Sequence, residues 1–151
     1  MMLAYDIGTS YLKGAVVTAG GKLVSRAQVP VRMRQSRNPE YRECDSDDWL
    51  AGLAIVTAEL GLREKGRIRG VVISANGPTL LAVDGAGEPL GLAMTWMDNR
   101  AREEADLISE FSSTPIDPSF YLPKALWIMR HDPEVYEKTR YFLACAEYIS
   151  F

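Results

Sequence analysis

Apolar positions at the start of the chain follow a strand pattern. Met2 to Ile7 and Leu12 to Thr18 are short apolar runs, and the turn signal Ala19-Gly20-Gly21-Lys22 leads into a third run, Leu23 to Val31. Turns this short connect neighbouring strands in antiparallel order. The pattern therefore predicts three consecutive antiparallel strands.

The next apolar positions have helical spacing. An acidic stretch, Asp45 to Asp48, comes before Trp49, Leu53, Val56 and Leu60, which recur at intervals of three or four residues. Side-chain oxygens and negative charge at a helix start satisfy exposed N–H groups and favour the helix dipole. We therefore expect a helix that begins near this stretch and buries the face with those four side chains.

Strand signals return in the middle of the chain. The run Val71-Val72-Ile73-Ser74 is β-branched and lacks alternation, which is typical of a strand buried on both faces. Two further apolar runs, Leu80 to Val83 and Leu90 to Met94, flank the turn-like stretch Asp84 to Pro89. The pattern predicts a buried strand followed by a strand–turn–strand unit.

The C-terminal third is predicted to be mostly helical. Asp98 is placed to start one helix, Pro123 lies near the first turn of a second, and Asp132-Pro133 starts a third, short one. Tyr141 to Cys145 is predicted to be a final strand. The expected inward-facing positions are Ala101, Ala105 and Ile108 in the first helix and Leu122, Ala125, Leu126 and Met129 in the second.

Composition limits the size and class of the protein. With 151 residues, of which 47% are hydrophobic, the chain can bury one core, and no repeat or linker divides residues 1–151. A net charge of -3 argues against a nucleic-acid binder, and the clustered Arg32, Arg34 and Arg37 are interpreted as a solvated loop. Because the segment Tyr148 to Phe151 ends without a helix cap, we expect the domain to be truncated.

Cysteine usage and the N-terminus bear on the compartment. Cys44 and Cys145 are far apart and belong to no metal-ligand pattern, so free thiols are expected. No basic segment precedes the first apolar run, and Asp6 interrupts that run too early for a signal peptide. Apolar stretches are also too short to cross a bilayer. We expect a cytoplasmic protein with no membrane partner.

Candidate chemistry begins at the end of the first strand. Asp6 is followed by Gly8, Thr9 and Ser10, and Lys13 comes early in the next strand. A carboxylate there can hold Mg²⁺ or its water ligands, glycine lets backbone approach a phosphate, and hydroxyls can donate to it. A hairpin that uses Asp and Gly only for turn geometry is an equal alternative at this point.

Five stretches together resemble one family. Asp6 to Ser10 with its two hairpin strands is similar to the first phosphate-binding segment of the actin, hexokinase and sugar-kinase superfold. Four later stretches resemble motifs of FGGY carbohydrate kinases and occur in that family's order: Cys44 to Trp49, Val72 to Gly85, Trp96 to Ala101, and Pro123 to Trp127. The resemblance implies an α/β fold of the ribonuclease H-like class, with a mixed sheet and flanking helices.

The resemblance also implies roles for individual residues. Asp6 would coordinate Mg²⁺ or a metal-bound water, while Gly8, Thr9, Ser10 and Lys13 would face the phosphates of ATP. The positions matching the family's sugar pocket are Asn76, Gly77, Pro78, Trp96, Asp98 and Arg100. The family's catalytic base lies beyond residue 151, and its adenosine surface belongs to a second domain. We therefore expect the full-length parent to phosphorylate a sugar or polyol and this piece alone to be inactive.

Several alternatives stay open. Trp96 could be a core or interface aromatic, Asp98 a helix cap as well as a ligand, and Arg100 a helix-surface partner of Asp98 or Glu104. The lone His131 is interpreted as structural. At the level of function, a non-catalytic sugar-binding or regulatory protein, or another ATPase of the superfold, is the alternative. A homodimer is an open alternative for the full-length parent.

One departure concerns the substrate. Xylulokinase-like members carry Met-His after a Gly-Gln pair, whereas this chain has Gly77-Pro78 after Ala75-Asn76. A histidine able to bind a sugar hydroxyl is thereby replaced by residues without polar side chains, which changes discrimination among hydroxylated ligands. The sequence therefore predicts a preferred substrate other than D-xylulose and leaves its identity open.

Overall fold

The computed structural model describes residues 1–62 and 67–151 and shows two compact units. One contains residues 1–32 and 47–76, the other residues 33–46 and 77–151. In chain order the elements are β1 Met2–Ile7, β2 Tyr11–Val17, β3 Leu23–Pro30, β4 Glu43–Cys44, α1 Ser46–Glu59, β5 Gly70–Ala75, β6 Leu81–Val83, β7 Ala93–Met94, α2 Arg102–Ser109, α3 Tyr121–His131, α4 Pro133–Lys138, β8 Tyr141–Leu143 and α5 Cys145–Ser150.

The first unit is a mixed sheet in the order β3-β2-β1-β5. β2 runs antiparallel to both β1 and β3, and β5 runs parallel to β1. The three predicted antiparallel strands are confirmed, with bounds that differ by one residue at most. A mixed sheet with helices was the fold class expected from the sequence.

One face of this sheet is the core of the first unit. Alternation buries Ile7, Leu12 and Val16 on that face, since successive side chains of a strand point to opposite sides. The predicted helix is confirmed as α1, and its Trp49 and Val56 are fully buried. The opposite face of the sheet carries the exposed side chains of β1 and β2.

The predicted burial of β5 on both faces is wrong for the described residues. The strand exists, but Val71 is 54% exposed and Val72 is 55% exposed. β5 is at the edge of the sheet, where it pairs with β1. An edge strand has a neighbour on one side only, so residue type alone overestimated its burial.

The second unit packs helices against two short strand pairs. β4 pairs antiparallel with β7, and β6 pairs antiparallel with β8. Its core contains Leu80, Ala82, Met94 and Ile128. The turn predicted at Asp84 is present, because the Asp84 carboxylate accepts from the backbone N–H groups of residues 86 and 88 at 2.8 and 2.9 Å.

Several predicted bounds and faces in this unit are wrong. The strand expected at Leu90 to Met94 is reduced to its last two residues, and the strand from Tyr141 ends at Leu143 because α5 starts at Cys145. The short helix with Asp132 as its cap is confirmed, since the Asp132 carboxylate accepts from the N–H of residue 135 at 3.3 Å.

The face of α3 also differs from the prediction. Leu122 and Met129 were expected to point inward but are exposed, whereas the buried residues of the helix are Pro123, Lys124 and Ile128. The other two expected positions, Ala125 and Leu126, are half-buried, so the inward face is rotated towards Lys124 and Ile128 relative to the prediction.

Three other expectations concern the two thiols, membrane-spanning segments and the location of the protein. Neither Cys44 nor Cys145 forms a disulfide within the described residues, as predicted. Both are also buried, and burial raises the pKa of the Cys145 thiol to about 12. Over the part of the chain that the structure describes, helices are too short or too polar to cross a bilayer. The cytoplasmic location stays a prediction.

Close packing at Gly14 gives a testable consequence. A Cβ there would lie 2.4 Å from Cγ1 of Val56, so α1 has no room for even a methyl group on this part of β2. We expect Gly14→Ala to lower the free energy of unfolding by about 1–3 kcal/mol, the usual range for overpacking a core. Urea denaturation measures the change.

Gly20→Ala is the matched control. Its Cβ would meet only Oγ1 of Thr18, at 3.9 Å, in an exposed turn. An unfolding midpoint for Gly14→Ala equal to that of Gly20→Ala would contradict the packing described here.

Candidate functional site

The β1–β2 turn carries the first predicted group of site residues. The N–H of Gly8 donates to the carbonyl of Tyr11 at 2.9 Å, and the carbonyl of Ser10 accepts from the N–H of Val31 at 3.0 Å. A Cβ on Gly8 would lie 2.9 Å from the Tyr11 carbonyl oxygen, so this close turn requires glycine. Thr9 and the exposed Ser10 follow it directly.

A row of polar side chains crosses the open face of the sheet beside this turn. Asp6 is opposite Lys13 on β2 and opposite Ser74 on β5, and Lys13 is opposite Gln28 on β3. Lys13 Nζ lies 3.7 Å from Asp6 Oδ2, and both side chains are more than half exposed. The row lines an open concavity of about 900 Å³. A carboxylate and an ammonium therefore share one accessible surface.

Asn76 lies at the end of β5 and holds the end of β1. Its backbone N–H and its side-chain Nδ2 both donate to the carbonyl of Ile7, at 2.8 and 3.0 Å. The turn that begins after Ile7 is thereby fixed at its base. Whether Asn76 also contacts a sugar stays a prediction.

Asp98 and Arg100 form a buried pair in the second unit. Asp98 has no exposed surface, and the Arg100 side chain is 6% exposed. Arg100 donates to the Asp98 carboxylate through Nε at 2.9 Å and Nη2 at 2.7 Å, and Nη2 also donates to Glu43 Oε1 at 2.7 Å. The backbone N–H of Arg42 donates to Asp98 at 2.8 Å. One carboxylate thus joins two segments 56 residues apart.

Two sequence alternatives for this pair are corrected. Asp98 does not cap a helix, because α2 begins at Arg102 with Ala101 in the cap position. Arg100 is not on a helix surface, because it lies in a buried segment before α2. Glu104, its other suggested partner, is paired with Arg130 and His131.

Aromatic rings enclose the Arg100 guanidinium. Its Cζ lies 3.6 Å from the centroid of the Tyr41 ring and 5.0 Å from that of Trp127. Cation–π attraction is strongest where water is excluded. Burial alone would lower the pKa of Arg100, but its hydrogen bonds to Asp98 and Glu43 raise it above the usual value. Arg100 therefore stays charged, and its hydrogen bonds and ring contacts set the orientation of the guanidinium.

The other predicted sugar contacts belong to two segments of the second unit. Gly77 is exposed and Pro78 half-buried, and Trp96 is 45% exposed. Thr95, the residue before Trp96, donates to the carbonyl of Arg42 through both its N–H and its hydroxyl, at 2.9 and 2.8 Å. An exposed indole therefore follows a firmly held residue.

Comparison with known proteins decides the family. The sequence profile described as "FGGY family of carbohydrate kinases, N-terminal domain" matches residues 1–151. The chain belongs to the FGGY family of carbohydrate kinases. The predicted resemblance is thereby confirmed over the whole length of the chain.

Individual relatives of this FGGY chain are distant in sequence but close in fold. It is 28% identical to a xylulose kinase of Staphylococcus epidermidis over 100% of its own length and 32% of that protein's. It is 26% identical to a gluconokinase of Bacillus subtilis over 98% of its own length and 31% of that protein's. A solved xylulose kinase from Rhodospirillum rubrum matches with a TM-score of 0.91 and 22% identity over 98% of this chain and 33% of that one. The predicted sugar-kinase fold is confirmed, and the chain spans about a third of the length of these relatives.

The sequence did not identify all residues that surround the candidate sugar contacts. Tyr41, Glu43 and Trp127 hold Arg100, and Lys124 is buried beneath the Pro78 and Thr95 carbonyls. Lys124 could have been found, because it is four residues before the buried Ile128 in an otherwise apolar stretch. The partners of Arg100 come from residues far away in the chain and left no local signal.

The buried pair predicts a difference between arginine and lysine. In Arg100→Lys the charge stays, but the two-pronged contact with Asp98 and the stacking on Tyr41 are lost. We expect the free energy of unfolding to fall by about 1–3 kcal/mol, since a buried acceptor loses donors. Urea denaturation of the variant and of the unmodified chain checks this.

Arg102→Lys is the control, because Arg102 makes an exposed ion pair with Glu40 at 2.9 Å. An exposed pair contributes about 0–1 kcal/mol, so this variant should unfold almost as the parent does. Equal losses in the two variants would show that the geometry around Arg100 contributes nothing of its own.

Proposed function

We propose that the full-length protein transfers the terminal phosphoryl group of ATP to a hydroxyl of a sugar or polyol. Membership of the FGGY family supports this reaction class. The observation that carries the proposal is the pairing of Asp6 and Lys13 on the open face of the sheet, next to the Gly8 turn. Such a surface offers a metal ligand and a phosphate-binding cation side by side.

The residues present fit Mg²⁺ and the phosphates of ATP. Mg²⁺ in phosphoryl-transfer sites usually takes one or two carboxylates and otherwise binds phosphate and water. Asp6 supplies one accessible carboxylate, and Lys13 and Ser10 are exposed on the same hairpin. When bound, Mg²⁺ neutralises charge that develops on the transferred phosphate. We propose Asp6 as the metal residue and Gly8, Thr9, Ser10 and Lys13 as the phosphate-facing ones.

The proposed sugar contacts are Asn76, Gly77, Pro78, Trp96, Asp98 and Arg100. The exposed Trp96 ring suits the apolar face of a sugar, on which aromatic side chains bind well. Asp98 and Arg100 satisfy one another in the described structure, which supports a role in fixing the segment that carries Trp96. A catalytic base and an adenosine surface are expected outside this chain, so we expect the chain alone to give no turnover.

Asp6→Asn in the full-length protein tests the metal role. We expect the turnover number for sugar-dependent ADP formation to fall by at least about a hundredfold, the scale on which single electrostatic groups act in catalysis. The melting temperature should change little, because an exposed ion pair contributes about 0–1 kcal/mol to stability. A coupled kinase assay and a thermal melt measure the two quantities.

Asp106→Asn, an exposed change on α2, is the matched control. Near-normal turnover in folded Asp6→Asn would refute the metal role. Absence of sugar-dependent ADP formation in the unmodified full-length protein would instead favour the alternative, a non-catalytic sugar-binding or regulatory protein.

The segment Gly77-Pro78 predicts substrate preference. Neither residue has a polar side chain, so we expect a sugar or polyol other than D-xylulose to give the highest kcat/KM. A panel of pentuloses, hexoses, gluconate and glycerol decides this. If D-xylulose is the best substrate by a wide margin, our interpretation of this segment is wrong.

A further inference from the structure

Lys124 on α3 is fully buried. Lysine is among the residues least often buried, because its ammonium loses hydration that only hydrogen bonds or an opposite charge can replace. Replacement here comes from backbone carbonyls. The Lys124 ammonium donates to the carbonyls of Pro78 at 2.8 Å, Thr95 at 2.8 Å and Met94 at 3.3 Å.

These three bonds use every donor that an ammonium has. They also reach two segments that are not neighbours in the chain, one at Pro78 and the other at Met94 and Thr95. Pro78 is itself a proposed sugar contact, and Thr95 directly precedes Trp96, another one. A single cation therefore ties together the backbones on which two proposed sugar contacts depend.

The carboxylates that act on Lys124, those of Asp98 and Asp117, do so through their charge, whereas its hydrogen bonds go to carbonyls. Asp98 attracts the ammonium, but its oxygens accept hydrogen bonds from Arg42 and Arg100. Arg100 opposes the charge, and Asp117, from the connection between α2 and α3, favours it. The hydrogen bonds of Lys124 go to backbone carbonyl oxygens, so they act directly on the position of the backbone.

We propose that Lys124 is a positioning residue for the sugar, which fixes the Pro78 and Trp96 segments through its three backbone contacts. This inference rests on the proposed function, because it assigns a role at the same site. A binding surface that is already rigid loses less conformational entropy when its ligand binds. Loss of the ammonium should therefore weaken sugar binding more than nucleotide binding.

Lys124→Met in the full-length protein separates positioning from simple packing. Methionine has a similar length and no charge, so it keeps most of the packing and removes the donor to three buried carbonyls. Because those acceptors lose their partner, we expect a lower melting temperature, and a thermal melt defines the conditions in which the variant is folded. We expect the KM for the sugar to rise by about tenfold or more, the scale on which residues that orient a binding group usually act. The KM for MgATP should stay within about twofold, by the ordinary scatter of remote substitutions.

Lys138→Met, an exposed change on α4, is the matched control and should alter neither constant. A folded Lys124→Met protein with an unchanged KM for the sugar would overturn the proposal. Equal increases in both KM values would also overturn it, since they indicate a general structural defect.

The pH dependence of the unmodified protein gives a test that needs no variant. Burial lowers the pKa of Lys124 from 10.5 to about 8, with Asp98 and Asp117 acting against the shift and Arg100 adding to it. Above that pH the amine has two donors for three carbonyls, so the KM for the sugar should rise. A rise in the KM for the sugar at alkaline pH that is present in the unmodified protein and absent in Lys124→Met supports the proposal. The same alkaline rise in both proteins overturns it.

Unfolding driven by deprotonation of Lys124 cannot produce this alkaline rise in the KM for the sugar. The unfolded chain keeps the proton up to about pH 10.5, so between pH 8 and 10.5 the unfolded state binds more protons than the folded state. This group therefore makes the folded state more stable as the pH rises through that window. Weaker sugar binding there reports the backbone contacts and not loss of the fold.

Hydrogen exchange distinguishes failure of the inference from failure of the proposed function. In Lys124→Met, peptides covering residues 77–81 and 93–96 should exchange faster, while the β1–β2 hairpin should exchange as before. If the unmodified protein phosphorylates nothing in the panel, the proposed function is wrong, and exchange still decides whether Lys124 fixes the two segments. Unchanged exchange together with an unchanged KM for the sugar in an active protein rejects Lys124 as a positioning residue.

Discussion

The cost of removing a charge from water controls the path of the chain in the second unit. Asp98 and Lys124 are fully buried and Glu104 is 1% exposed. Each is stable there only because partners replace its lost hydration. Asp98 accepts hydrogen bonds from Arg42 and Arg100, and Lys124 donates to three carbonyls. Glu104 accepts from Arg130 Nη1 at 2.6 Å, and His131 Nε2 lies 3.2 Å from the same carboxylate oxygen. Apart from the local Asp98–Arg100 pair, these contacts join residues 26 to 56 positions apart, so they fix helices and irregular segments that are distant in the chain.

The first unit is organised by a different constraint, the two-residue period of its strands. Side chains on one face bury against α1, and a Cβ at Gly14 would collide with that helix. Side chains on the other face include the Asp6–Lys13 pair. Because the two faces alternate along the same strands, packing on the apolar face also sets the register that brings Asp6 opposite Lys13. Rigid strands therefore hold Asp6 and Lys13 more firmly than a loop would.

The two groups of proposed site residues differ in how they depend on the fold. Asp6 and Lys13 are exposed and need only the hairpin to meet. Asp98 and Arg100 are buried and bind each other, and Arg100 also contacts Glu43 and the ring of Tyr41. A fold by itself does not establish a reaction, so the family and these residues support the proposed kinase activity together. The proposed phosphate contacts depend on accessible charge in the first unit, and the proposed sugar contacts depend on backbone held by buried charge in the second.

Local signals in the sequence determined most of the elements and the position of the hairpin that carries the proposed phosphate-facing residues. Apolar runs located β1 to β3, the acidic stretch before Trp49 located α1, and the order of motifs indicated the FGGY family, because all of these depend on neighbours within a few residues. Tertiary structure alone decided the edge position of β5, the phase of α3 with Lys124 inside, and the environment of Asp98, which looked like a helix cap. Each of these depends on hydrogen bonds or contacts between segments distant in the chain, and a buried lysine or aspartate has the same sequence letter as an exposed one.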